Sequence, residues 1–104
     1  MNDCVYSIIE IQEKLLPIFK NYTISKAYVF GSYSRGGATG RSDIDIIVEP
    51  DEGFRPQRVC GILDEAMEAL DKNVDVYSIK EFKPDSEILP QILKDRIILY
   101  DKSI

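Results

Sequence analysis

Apolar and polar positions alternate along this chain with two distinct periods, and the changes of period mark its elements. From Val5 to about Tyr22, the residues Ile8, Ile11 or Gln12, Leu15, Leu16 and Phe19 recur at helical spacing. This predicts an amphipathic helix capped by Asp3, with a kink at Pro17. Ile24 to Phe30 reads as a strand, and Tyr33 to Arg35 as a short helical turn. Gly36 to Arg41, with three glycines, reads as a mobile loop that orders on substrate. A second strand is predicted over Asp43 to Glu49, ended by Pro50, and Asp51 to Phe54 is a turn.

A second long helix is predicted from Arg55 to about Leu70, with Val59, Ile62, Leu63, Ala66, Met67 and Leu70 on one face. Its Asp64, Glu65 and Glu68 form a solvated face. Gly61 costs roughly 1 kcal/mol against Ala inside a helix, which points to close packing against the sheet. Asn73 to Ile79 is the third strand. After a loop from Lys80 to Pro84, a last helix starts at Asp85 or Ser86 with Ile88, Leu89, Ile92 and Leu93 inward. Ile97 to Tyr100 is a short final strand or extended tail. The expected architecture is α+β: a mixed sheet of about four strands with helices packed on one face, in a single domain over residues 1–104.

Composition narrows the chemistry. The chain has 104 residues, enough for a single core, and 44% of them are hydrophobic against 30% charged. No apolar run approaches the ~20 residues of a membrane span, and the N-terminus lacks the pattern of a signal peptide. A cytoplasmic location is expected by default. Cys4 and Cys60 have no metal-ligand spacing and read as ordinary thiols. The absence of histidine excludes His-dependent triads and His-ligated zinc, leaving carboxylates as metal ligands. The formal charge of −5 makes autonomous binding of nucleic acid unfavourable.

The chemistry concentrates in Gly31 to Glu49, GSYSRGGATGRSDIDIIVE. Alternation along a strand puts Asp43 and Asp45 on one face, about 7 Å apart, with Ile44, Ile46 and Val48 on the other. Two carboxylates placed so repel each other, and a divalent cation offsets that repulsion. Mg²⁺ is commonly held by one or two carboxylates together with substrate phosphates. Gly31 lets the backbone approach an anion, and the N–H groups that follow can point at phosphate oxygens. Arg35 is either a phosphate contact or a solvated loop charge, and Arg41 is a lesser phosphate candidate. Asp75, between Val74 and Val76 in a strand read as central, is a functional carboxylate, the alternative being an edge-strand residue facing water.

Gly31-Ser32, Arg35-Gly36 and, five residues on, Ser42-Asp43-Ile44-Asp45 resemble the signature of minimal nucleotidyltransferases of the DNA polymerase beta superfamily. The resemblance covers nearly the whole chain. It implies transfer of a nucleoside monophosphate, AMP from ATP, to a hydroxyl. It implies two Mg²⁺ ions (or Mn²⁺) held by Asp43, Asp45 and Asp75, the last being the third acidic residue, on a neighbouring strand. Gly31, Ser32 and Arg35 would hold the phosphates. Relatives of this kind often act as the antitoxin of a small helical HEPN protein, transferring AMP to a tyrosine of that toxin. Two other readings stay open: a non-catalytic module that silences its partner by contact, and the catalytic subunit of a two-subunit enzyme modifying an antibiotic hydroxyl. Self-association stays open too.

Overall fold

A computed structural model describes residues 3–103. The first helix, α1, spans Ile8–Phe19 and starts later than the apolar period suggests. Ser7, not Asp3, caps it. The Ser7 hydroxyl accepts from the Glu10 backbone N–H at 3.1 Å, and the Ser7 N–H donates to the Glu10 carboxylate at 2.9 Å. This reciprocal box satisfies two otherwise free donors, which a lone aspartate further upstream cannot match. The helix passes through Pro17 and ends two residues later at Phe19.

β1 (Ile24–Phe30) leads into the short α2 (Ser32–Arg35), and β2 follows over Ile44–Pro50. α3 spans Arg58–Leu70, shorter than expected, because Pro56 disfavours helical geometry at Arg55 before it. β3 (Val74–Ser78), a 3-10 turn (Ile79–Glu81), α4 (Ile88–Asp95) and β4 (Ile97–Asp101) complete the order. The extended tail considered for Ile97 to Tyr100 is therefore a paired strand.

The sheet order is β3-β2-β1-β4, so β3 is an edge strand and not the central one expected for Asp75, which is exposed on it. β1 pairs antiparallel with both β2 and β4, and β2 pairs parallel with β3, so the sheet is mixed as expected. One face supplies Ala27, Val29, Ile44, Ile46, Val48, Val74 and Val76 to the core, against Ile11, Leu15 and Phe19 of α1 and Ile62, Ala66 and Leu70 of α3. The two long helices thus share one face. The apolar residues of α4 are not among those packed on this core. Arg96, at the end of α4, instead lies over the Tyr28 ring at 4.9 Å, on the opposite face.

Two inward assignments are corrected. Ile88 is 63% exposed, because the first turn of α4 stands clear of the sheet. Gly61 faces Tyr22 rather than the sheet, and a Cβ there would lie 2.6 Å from the Tyr22 hydroxyl. That hydroxyl donates to Glu65 one turn along α3, so the glycine leaves room for a side-chain bridge. Among the described residues no helix is long and apolar enough to cross a membrane.

Candidate active site

The site grows out of the end of β1. Gly31 adopts φ 73°, a conformation side chains rarely tolerate. The turn reverses the chain into α2, and the Gly31 carbonyl accepts from Ser34 N at 3.1 Å, Arg35 N at 3.2 Å and Ser34 Oγ at 2.8 Å. Ser32 is the first residue of α2, beside this turn. A Cβ on Gly31 would lie 2.7 Å from Asp45 Oδ2, so the glycine backbone and the carboxylate are in direct apposition.

The register brings the acids together. Phe30 pairs with Asp45, and Asp45 pairs with Asp75 across the parallel β2–β3 seam. Partners on neighbouring strands share a face at a strand spacing of about 4.8 Å. Asp43 lies just before β2, outside the strand predicted to hold it, and is exposed. It still acts on the same point. The carboxyl of Asp45 is pushed up from 3.8 to about 6, first by burial, then by the negative charges of Asp75 and Asp43. The positive charge of Arg35 pulls the other way. Gly31 thus touches Asp45, Asp75 lies opposite it on β3, and the charges of Asp43 and Arg35 reach the same carboxyl. Among the described residues no three acidic or thiol side chains are drawn closely enough together to cage an ion. The carboxylates form an open set, as mutual repulsion favours.

The donor chemistry suits Mg²⁺. Hard carboxylate oxygens are its preferred protein ligands, and a dication would relieve the charge crowding that raises Asp45. A shallow hollow of about 220 Å³ opens beside Asp43 between Arg41, Ser42 and Lys72. A larger one, about 420 Å³, lies toward the other end of β2 and β3 among Pro50, Phe54, Pro56 and Val59. It has neither the glycine turn nor the paired acids, so size alone does not mark the chemistry here.

Lys72 went unread in the sequence, where it looks like a turn residue between Asp71 and Asn73. It is only 3% exposed. Its ammonium donates to the carbonyls of Cys4 at 2.8 Å and Gly40 at 2.9 Å. The glycine loop is therefore pinned at its far end, and a Thr39–Ser42 turn tightens it further, with Thr39 N donating to Ser42 Oγ at 2.8 Å. Of the loop's three glycines, Gly36 and Gly37 have open space around them and Gly40 does not. The expected mobile loop is thus an open tip on a fixed base, and that base delivers Asp43. Lys72→Met should cost about 2–3 kcal/mol in urea unfolding, the scale of charge-assisted hydrogen bonds lost from a buried ammonium.

Comparisons with known proteins identify the family. The family model described as "Polymerase beta, Nucleotidyltransferase" matches residues 13–104. The chain is a polymerase beta-type nucleotidyltransferase. It is 37% identical over 92 residues to "Putative protein adenylyltransferase MJ0435" of Methanocaldococcus jannaschii, covering 88% of this chain and 91% of that one. Among solved structures, this nucleotidyltransferase resembles a chain of a toxin–antitoxin complex with AMP-PNP (TM-score 0.71, 24% identity, 88% of this chain and 73% of that one). It also resembles a chain of a complex between tri-AMPylated Shewanella oneidensis HEPN toxin and its MNT antitoxin (TM-score 0.59, 23% identity, 89% of this chain and 74% of that one). At these identities the two structures speak to the fold.

Proposed function

We propose that this nucleotidyltransferase moves AMP from ATP to a hydroxyl of a partner protein, a tyrosine of a HEPN-type toxin, and so acts as an antitoxin. The observation that carries the reading is the pairing of Asp45 with Asp75 beside the Gly31 turn. The relative named for protein adenylylation and the AMPylated toxin in a structural neighbour support the choice of group and acceptor. ATP as substrate fits a cytoplasmic setting.

Asp43, Asp45 and Asp75 would hold Mg²⁺, which when bound neutralises the triphosphate and polarises its oxygens. The backbone N–H groups at Gly31 and Ser32 receive the β- and γ-phosphates, with Arg35 supplying positive charge. Asp75 takes the proton of the acceptor hydroxyl. That oxygen bonds to the α-phosphorus, the bond from the α-phosphorus to the bridging oxygen breaks, and pyrophosphate carries away the electron pair. Positioning supplies much of the catalysis in such transfers.

The test is to incubate the protein with ATP, Mg²⁺ and the candidate toxin encoded beside it, then examine the toxin by mass spectrometry. AMP on a tyrosine is the expected result, and Asp43→Ala should abolish it. Equal neutralisation by that variant without an adduct would overturn the enzymatic reading in favour of silencing by contact. Adenylylation of a small hydroxylated compound, with the toxin untouched, would overturn the choice of acceptor.

A further inference from the structure

Aromatic rings flank the carboxylates on their face of the sheet. Phe30 immediately precedes Gly31 and pairs with Asp45. Tyr77 lies two residues beyond Asp75 on β3, so the two side chains share a face. The Phe30 and Tyr77 rings stand 6.0 Å apart between centroids, tilted by 50°. Phe82, just past the 3-10 turn, adds a third ring 6.1 Å from Tyr77. Ile47 pairs with Tyr77, on the same face, and is fully buried. Covering Ile47 accounts for the inner sides of these rings. It does not account for Tyr77 remaining 37% exposed beside two acids.

Resting on the function proposed above, we infer that Phe30, Tyr77 and Phe82 form the shelf on which the nucleobase of the triphosphate stacks. The base is tied to the α-phosphate by one ribose, so the phosphates fix where it can lie. The shelf begins at the residue before the phosphate turn. Phe30 stands in the same row as Asp45 and Asp75, and Tyr77 is one step along β3 from Asp75, roughly 7 Å, about the span of that ribose. The charge is also suitable. Asp45, Asp75 and Glu81 surround Tyr77 with negative potential, which repels further phosphate and accepts a neutral ring. Stacking needs only the π-face of a base, and tilted rings of different elements present several such faces.

The test compares ATP with inorganic tripolyphosphate, each with Mg²⁺, by calorimetry on the intact protein. The parent should bind ATP more tightly than tripolyphosphate. Tyr77→Ala should weaken ATP by about ten- to a hundredfold, the scale of base–aromatic stacking, and leave tripolyphosphate unchanged. Tyr77→Phe should restore ATP affinity, since the ring and not the hydroxyl does the stacking. If the parent binds both equally and Tyr77→Ala changes neither, the shelf is wrong while the phosphate site stands. If Tyr77→Ala spares ATP and instead raises the KM for the protein acceptor, the shelf belongs to the acceptor and the inference is overturned. If the parent binds neither ligand, the nucleotide reading itself falls, and the shelf with it.

Discussion

Asp45→Asn is expected to cut AMP transfer by at least about 10²–10³-fold, the loss seen when one charge-stabilising group is removed from an active site, and yet to stabilise the fold. The carboxyl sits half-buried against Gly31 with Asp75 and Asp43 nearby, and its value rises to about 6 from 3.8. Folded protein therefore holds this proton more tightly than the unfolded chain does. The group's contribution is most favourable below about pH 4, declines as pH rises, and is at its worst above about pH 6. Asn keeps the shape without the charge. At pH 7 the variant should gain about 1–2 kcal/mol in urea unfolding, after discounting for solvent screening. The gain should fade as pH falls from 6 toward 4. A variant that is less stable than the parent at pH 7 would contradict the crowding of charge described for this site. A variant that keeps full transfer activity would remove Asp45 from the chemistry.

Gly31→Ala should act through two separable effects. The positive φ strains any side chain, costing about 1–3 kcal/mol. The new Cβ would also meet Asp45 Oδ2 at 2.7 Å, so the carboxylate must move. Gly36 provides the control. It too has positive φ, 79°, but open space where a Cβ would go. Gly36→Ala should therefore lose comparable stability and keep its affinity for ATP with Mg²⁺. Gly31→Ala should lose at least about tenfold in that affinity, from displacement of the carboxylate and crowding of the phosphates. Equal loss of binding in both variants would mean that strain alone matters and that Gly31 is only a turn.

Much of this was legible in the sequence because local period and turn chemistry are strong signals. Alternation along β2 put Ile44, Ile46 and Val48 on the core face and Asp45 on the other, as observed. The Gly31-Ser32 pair marked the turn, and the structure gives Gly31 a backbone that only glycine adopts comfortably. Other features depend on which strands meet. Nothing local states that β2 and β3 run parallel in the register that sets Asp45 against Asp75. The resemblance supplied that neighbour. Phe30, Tyr77 and Phe82 come from separate segments, so no window of sequence contains their cluster. Lys72 is hidden for a related reason: its partners Cys4 and Gly40 are remote in the chain, and a lysine in a turn reads as solvated. At the other end, Ile88 fits a helical stripe, yet tertiary placement leaves it in water.

The parallel β2–β3 seam also fixes an order of events during synthesis. β1 and β2 emerge from the ribosome early and pair antiparallel, carrying Gly31, Asp43 and Asp45 with them. Asp75 arrives only after the whole of α3 has been made and has crossed back over the sheet. Closing that crossover, like the still longer-range pairing of β4 with β1, is a non-local, slower part of folding. A nascent chain stalled before β3 thus holds a phosphate turn and two acids without the proposed proton acceptor. On the proposed chemistry, transfer to an acceptor hydroxyl would wait for β3 to join the sheet, so fragments ending before β3 should be inert in the transfer assay.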